Sequence, residues 1–157
     1  QHYDVVPDII SLAKALGNGY PIGAVVASKQ VASTFVPGSH GTTFGGNPLG
    51  AAIARTVVET MRDERMDVQA AERGDRWMKR LRDIADRSDG RVKAVWGRGL
   101  IIGLEMGEEA KKVQAQALEN GILVNVCAGS VVRLIPPLIL SDSSMKAFDD
   151  VLESFLA

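Results

Sequence analysis

The spacing of apolar residues changes along this 157-residue chain, and that change restricts the fold more than any other feature. From Asn47 onward apolar residues recur at helical spacing, with Asn47 suited to cap a helix and Pro48 to its first position. From residue 90 the spacing switches to two, which predicts two strands around residues 97–99. Between the helix that starts at residue 48 and these strands, a second, charged helix is predicted. Its inward-facing residues are expected to be Val68, Ala71, Met78, Leu81 and Ile84.

The last third of the chain predicts two more helices and two more strands. Residues 108–120 have helical spacing, and apolar runs at residues 122–126 and 131–135 predict strands. A final amphipathic helix is expected to open at Ser141 or Asp142. The inward residues of the first of these helices are predicted to be Ala110, Val113, Ala117 and Leu118.

These elements predict a mixed α/β and α+β fold class. From residue 66 the order helix, strands, helix, strands, helix indicates a compact α+β unit with its helices on one side of a small sheet. Residues 1–46 are rich in glycine and short apolar runs, which predicts buried strands at 9–16 and 22–27 joined by tight loops. We expect this first part to be a fragment of a larger α/β layer.

Composition excludes several functions. The 18 Lys and Arg nearly balance the 19 Asp and Glu, so no basic field favours nucleic acid as a partner. No apolar run approaches the roughly 20 residues that cross a bilayer, so no membrane span is expected. With Cys127 as the only cysteine and two histidines in all, neither an internal disulfide nor a structural metal is expected. A reduced, cytoplasmic setting fits this composition.

The first segment with chemical information is SLAKALGNGYPIG at residues 11–23. It places one lysine, Lys14, in an apolar run, and burying an unpaired ammonium group favours the neutral amine or a covalent partner. A neutral amine is what attacks an aldehyde in Schiff-base chemistry. The alternative is a structural lysine whose aliphatic stem lies along apolar neighbours.

The glycines of this segment suggest a second interpretation. Gly17, Gly19 and Gly23 could belong to a loop that binds a dinucleotide phosphate. Their spacing departs from G-x-G-x-x-G, and Pro21 would obstruct the helix start that such a loop requires. We therefore set the dinucleotide loop aside.

The second segment, HGTTFGGNP at residues 40–48, leads adjacent hydroxyls into a helix N-terminus. Hydroxyls and free backbone N–H groups at such a place suit a phosphate or a carboxylate. The alternative is a capped loop in which Thr42 and Thr43 only satisfy local backbone groups, with His40 as a hydrogen-bonded loop residue.

The third segment, VVRLIPPL at residues 131–138, places one arginine in an apolar strand. The guanidinium group of Arg133 would bind a carboxylate in bidentate fashion. That carboxylate could belong to a substrate, or to the protein itself as a structural ion pair. This segment alone leaves both open.

Together the three segments resemble class III aminotransferases, and within that family the acetylornithine branch. The motifs that carry the resemblance are SLAKALGNGYPIGA, HGTTFGGNPLGAA and VVRLIPPLIL, supported by GRGLIIGLEM and ENGILVNV, which resemble strands of the family's small domain. The resemblance covers essentially the whole chain. It implies the C-terminal part of a fold type I pyridoxal-phosphate-dependent transferase, with residues 1–65 ending the large domain and its inter-domain helix and residues 66–157 forming the small domain.

The resemblance also implies roles for individual residues. Lys14 would carry pyridoxal 5'-phosphate covalently and act as the catalytic acid and base. Thr43 would contact the cofactor phosphate, reaching into a neighbouring subunit, and Thr42 would touch the amino substrate. Arg133 would hold the α-carboxylate of the amino acid or 2-oxo acid. No metal site is implied.

Two departures from the family pattern stand out. Asn18 occupies a position that is usually glycine, which is tolerable because asparagine also accepts left-handed backbone angles. The acidic partner of the pyridine nitrogen, the glycine-rich phosphate loop and the stacking aromatic ring precede the lysine in the family. We expect them before Gln1, in a missing N-terminal piece, and we expect the present piece alone to be inactive.

The implied reaction moves an amino group between N-acetylornithine and 2-oxoglutarate in arginine biosynthesis. Alternatives are the ornithine, succinylornithine and 4-aminobutyrate aminotransferases, or a truncated non-catalytic module for binding or oligomerisation. The expected partners are small amino acids and 2-oxo acids, together with a second copy of the protein in a homodimer with composite active sites.

Overall fold

The computed structural model describes residues 2–157, and the chain divides into two compact units between Glu64 and Arg65. The first unit holds strands β1 (Ile9–Leu12) and β2 (Ala24–Ala27), a 3-10 turn (Lys14–Gly17), a short helix α1 (Lys29–Ala32) and helix α2 (Pro48–Asp63). The two strands pair antiparallel, with Ile9 opposite Ala27.

The expectation that these first strands are buried is wrong for this chain. Val25 and Val26 on β2 are 70% and 53% exposed, and Ile9 on β1 is 56% exposed. β1 and β2 form a sheet of two strands, and the exposure of its side chains shows that residues 2–157 leave much of it uncovered. Strand β1 also ends at Leu12, because Lys14 turns the backbone into the 3-10 helix.

The second unit is a four-stranded antiparallel sheet covered on one face by helices. Its strands are β3 (Ala94–Arg98), β4 (Ile101–Glu105), β5 (Asn125–Cys127) and β6 (Val131–Leu134), in the order β3-β4-β6-β5. Its helices are α3 (Met66–Asp86), α4 (Ala110–Glu119), preceded by a 3-10 turn (Gly107–Glu109), and α5 (Asp142–Leu156). This confirms the predicted mixed fold class, with helices on one side of a small sheet.

The core lies between that sheet face and the three helices. Ile102 and Leu104 on β4, and Val132 and Leu134 on β6, point inward and are at most 4% exposed. Residues of α3, α4 and α5 complete the same cluster, among them Leu81, Val113, Met145, Phe148 and Leu152. Burial of large aliphatic side chains at this level stabilises each by about 1.5–3 kcal/mol.

Helix boundaries agree well with the sequence, and individual inward residues less so. Helix α2 begins at Pro48 with Asn47 as its cap, and α5 begins after Ser141, whose hydroxyl accepts from Ser144 N at 3.1 Å. Leu118 was predicted to face inward but is 60% exposed, since Ala117 takes the buried position on α4. Consecutive residues of an α-helix point about 100° apart, so Ala117 and Leu118 face different sides of α4.

Two further predictions are corrected. Ala71 is exposed, because α3 turns Ala70 and Gly74 inward, and a Cβ on Gly74 would lie 2.0 Å from Gly99 O. The strand predicted at residues 122–126 forms only at Asn125–Cys127. Upstream of it, Val124 O accepts a hydrogen bond from the side chain of Gln114 at 3.0 Å instead of joining the ladder.

A buried polar network joins the first and last helices of this unit. Asp149 on α5 is 6% exposed and accepts hydrogen bonds from Trp77 Nε1 at 2.7 Å and from Arg80 Nε at 2.8 Å. The Trp77 ring also packs edge-on against Phe148, with 6.1 Å between ring centroids. Because the carboxylate is desolvated, its two donors compensate a cost that would otherwise favour unfolding.

Replacing Asp149 by Ala should therefore lower the free energy of unfolding by about 2–3 kcal/mol, because the indole N–H and the guanidinium group lose their acceptor. The matched control is Glu153→Ala, on the same helix as Asp149. It removes an exposed ion pair with Arg87 and should cost less than about 0.5 kcal/mol. Urea denaturation measures both values. Equal losses in the two variants would contradict a structural role for the network.

Candidate active site

Lys14 stands at the end of β1 in an unusual backbone conformation. Its φ is 52°, in the left-handed region, and it is the first residue of the 3-10 turn. A non-glycine residue there costs on the order of 1–3 kcal/mol and is found mainly where the surroundings or the function require it. The Lys14 side chain is exposed, so the inference from burial is wrong for this chain. Its amine has no hydrogen-bond or ion-pair partner among residues 2–157.

The residues after Lys14 close the turn tightly. Gly17 is buried, and a Cβ there would lie 2.8 Å from Ile22 Cγ2. Asn18 has φ 44° and ψ 46°, which confirms the expectation that it adopts left-handed angles. The chain then continues through Pro21 into strand β2. No helix starts at these glycines, which agrees with setting the dinucleotide loop aside.

Asn47 connects the two predicted motifs of the first unit. Its Oδ1 accepts from Gly50 N at 2.7 Å, which caps α2, and its Nδ2 donates to Phe44 O at 3.1 Å. Tyr20 OH, from the turn after Lys14, donates to the same Oδ1 at 3.4 Å. One carboxamide thus holds the threonine loop, the start of α2 and the lysine turn together.

Thr42 and Thr43 lie in the loop that Asn47 holds. Both residues are exposed, and in the described part of the chain neither hydroxyl makes a hydrogen bond. The alternative in which they satisfy local backbone groups is therefore not observed. The Thr42 methyl occupies the space beside Gly45, where a Cβ would be 2.1 Å from Thr42 Cγ2. His40 packs edge-on against Phe35 at 6.4 Å between centroids, as a loop residue would.

Removing the Asn47 carboxamide should loosen this arrangement. We expect Asn47→Ala to lower the free energy of unfolding of the first unit by about 1–2 kcal/mol through loss of the helix cap. Asn47→Ser keeps an acceptor for Gly50 N, so it should restore most of that stability without restoring the bond to Phe44 O. Thermal unfolding of both variants, with amide exchange at residues 42–44, checks this. An Asn47→Ala variant as stable as the parent would contradict the capping role.

Arg133 lies on the helix-free face of the four-stranded sheet. It is exposed, while its neighbours Val132 and Leu134 are buried, as expected for alternation along a strand. The strand register places Gly103 opposite it on one side and Asn125 on the other. One strand further, Trp96 pairs with Gly103. Residues directly opposite share a face, so these four form one row across the sheet.

Gly103 leaves room for the indole of Trp96 within that row. A Cβ on Gly103 would lie 3.1 Å from Trp96 Cε2 and Cζ2. The ring therefore covers the strand beside Arg133, and Trp96 remains 46% exposed. The packing of Trp96 over Gly103 could not be predicted from the sequence, because it depends on cross-strand register. The glycine at a strand centre was the available signal.

Arg133 pairs with no carboxylate in the part of the chain that the structure describes. No ion pair or hydrogen bond of its guanidinium group occurs among residues 2–157, which removes the support for a structural ion pair there. It lines an open cavity of about 310 Å³ together with Leu123, Val124, Asn125 and Ile135. An unpaired arginine in a partly apolar cavity suits a small carboxylate.

Metal-binding clusters and membrane-spanning helices are both absent from residues 2–157. No group of three or more His, Cys, Asp or Glu side chains is placed to hold a metal ion. None of the helices in this range is long and apolar enough to cross a membrane.

The geometry and motifs match one protein class: the chain belongs to the class III aminotransferase family, whose model matches residues 1–156. Similar proteins include the acetylornithine aminotransferase of Methanothermobacter thermautotrophicus, 45% identical over 97% of this chain, and that of Aquifex aeolicus, 42% identical over 99%. The chain spans 39% of the length of each.

A solved structure gives the same picture. The acetylornithine aminotransferase of Elizabethkingia anophelis superimposes with a TM-score of 0.89 at 30% identity, over 99% of this chain and 40% of that one. This agreement supports the fold expected for the C-terminal part of a pyridoxal-phosphate-dependent transferase.

Proposed function

We propose that the complete protein is a pyridoxal-phosphate-dependent aminotransferase that moves an amino group between N-acetylornithine and 2-oxoglutarate. The observation that carries this proposal is Lys14, an exposed amine that has no partner among residues 2–157 and lies in a left-handed conformation just after a strand. The names of the relatives above support N-acetylornithine as the amino donor, and arginine biosynthesis as the setting.

The donors of the first unit fit a phosphorylated aldehyde cofactor. A primary amine is available to bind the aldehyde, and the Thr42 and Thr43 hydroxyls are free to donate to phosphate oxygens. A related ornithine aminotransferase of Toxoplasma gondii, 33% identical, has pyridoxal phosphate at partial occupancy in its active site. When bound, this cofactor supplies the electron sink that transamination requires.

Lys14 has two tasks in this proposal. Its amine would hold the cofactor through the aldehyde group. When not bonded to the cofactor, the same amine would act as the acid and base that takes a proton from the substrate carbon bearing nitrogen. The turn fixes the backbone of Lys14, from which its exposed side chain projects.

Thr43 is proposed to donate its hydroxyl to the cofactor phosphate, and Thr42 to contact the amino substrate. In this account Thr43 serves the active site of a second subunit, so the protein acts as a homodimer or a larger assembly of dimers. Neither hydroxyl makes a hydrogen bond within residues 2–157, and this supports these roles. A fully active monomer of the complete protein would overturn the shared-site part.

Arg133 is proposed to bind the α-carboxylate shared by glutamate and 2-oxoglutarate. Its planar fork can donate two parallel hydrogen bonds to a carboxylate, and the absence of an internal ion pair among residues 2–157 leaves it available. We also propose that residues 1–65 end the large cofactor-binding domain and that residues 66–157 are the small C-terminal domain, in a cytoplasmic enzyme.

Replacing Lys14 by Ala should abolish covalent cofactor binding. The complete natural protein, mixed with pyridoxal phosphate, should show the near-visible absorbance band of the lysine-bound cofactor, and N-acetylornithine should bleach it. Lys14→Ala should show free cofactor only, and transamination should fall by at least about a thousandfold through loss of the acid and base. Lys29→Ala, in the exposed α1, is the control and should behave as the parent. A band that survives in Lys14→Ala sinks the assignment.

Replacing Arg133 should affect binding of the 2-oxo acid. We expect Arg133→Lys to raise KM for 2-oxoglutarate about tenfold and Arg133→Ala about a hundredfold, since lysine keeps the charge and loses the fork. Arg82→Lys, on the exposed face of α3, should leave KM unchanged. Steady-state kinetics measures these KM values, and the same assay with N-acetylornithine, ornithine and 4-aminobutyrate as alternative donors identifies the preferred donor. An unchanged KM in Arg133→Ala would remove Arg133 from the site.

A further inference from the structure

The helix-free face of the sheet places a second polar side chain next to Arg133. Asn125 on β5 is directly opposite Arg133 on β6, so both side chains leave the sheet on the same face. Cross-strand neighbours of this kind have Cβ atoms about 4.5–5.5 Å apart. Both residues are exposed, and both line the same cavity of about 310 Å³.

The Asn125 carboxamide is not used by the fold. Within residues 2–157 its one polar contact is from Nδ2 to Cys127 Sγ at 4.0 Å, a long approach to a weak acceptor. Asn47, by comparison, uses both ends of its carboxamide at 2.7 and 3.1 Å. Asn125 therefore presents two N–H donors and one acceptor to the cavity.

The rest of the cavity sets the chemistry that it can bind. Leu123 is 86% exposed and Ile135 is 54% exposed, so they form apolar walls beside the two polar groups. A carboxylate has about four lone-pair positions, and a bidentate arginine uses two of them. The remaining positions are open to a further N–H donor, and Asn125 is the neighbouring residue of this cavity that carries one.

We propose that Asn125 is a substrate-binding residue that donates to the carboxylate held by Arg133, and that the pair forms one carboxylate subsite. This rests on the proposed function, and it adds to Arg133 a residue that determines specificity. A neutral carboxamide can donate to a carboxylate oxygen that Arg133 leaves unpaired, without adding charge.

The test compares three substitutions at Asn125 in the complete natural protein. Asn125→Ala removes the donor, and we expect KM for 2-oxoglutarate to rise about tenfold with kcat within about twofold. Asn125→Asp keeps the shape, repels the incoming carboxylate and pairs with Arg133, so its KM should rise about a hundredfold. Asn125→Gln keeps the amide and should fall between the parent and Asn125→Ala. Asn120→Ala, at the end of α4 and outside this cavity, is the matched control.

A second measurement does not require turnover. Calorimetric titration with glutarate, an unreactive dicarboxylate, should show about tenfold weaker binding in Asn125→Ala and in Arg133→Lys, with Asn120→Ala unchanged. Thermal unfolding confirms that each variant is folded. The proposal is overturned if Asn125→Ala keeps parental glutarate affinity and KM while Arg133→Lys weakens both.

Different results would overturn the carboxylate subsite and the proposed aminotransferase function. Loss of glutarate affinity in both Asn125→Ala and Arg133→Lys, in a protein that transfers no amino group, would retain the subsite and overturn the proposed function. Transamination with a KM that responds only to Arg133 would retain the function and overturn the role of Asn125.

Discussion

The pairing of β4 with β6 is the interaction on which the second unit depends. It places Ile102 and Leu104 beside Val132 and Leu134 on the face that the three helices cover. Because side chains alternate along a strand, the same pairing fixes Arg133 on the opposite face. A shift of register by one residue would bury the guanidinium group and expose the aliphatic residues. Core packing therefore determines the face of the sheet on which Arg133 lies.

The first unit solves a different problem, since little of it is buried within this chain. Its order comes from short-range hydrogen bonds, chiefly those of Asn47 to Phe44 O and Gly50 N. The 3-10 turn and the left-handed angles of Lys14 and Asn18 hold the lysine backbone. Tyr20, which follows that turn, donates a hydrogen bond to Asn47 Oδ1 in the threonine loop. Local geometry, with little help from a core, thus positions the amine and the two threonines.

Features encoded by neighbouring residues could be predicted from the sequence. The start of α2 follows from Asn47 and Pro48, and the exposure of Arg133 follows from alternation along its strand. Features that depend on distant residues could not. The pairing of Asn125 with Arg133 follows from strand register.

The Trp77–Asp149 hydrogen bond joins residues 72 positions apart, which no local pattern indicates. The exposure of β1 and β2 was missed for a related reason. An apolar run indicates that a strand can be buried, but it does not identify the element that packs over the strand.

The central claim is that Lys14 is the residue that binds the cofactor, and chemical trapping tests it most directly. The complete natural protein would be incubated with pyridoxal phosphate, reduced with borohydride, digested and examined by peptide mass spectrometry. The account predicts a phosphopyridoxyl group on Lys14 and on no other lysine at comparable yield. A label on another lysine such as Lys29, or no label at all, would contradict it.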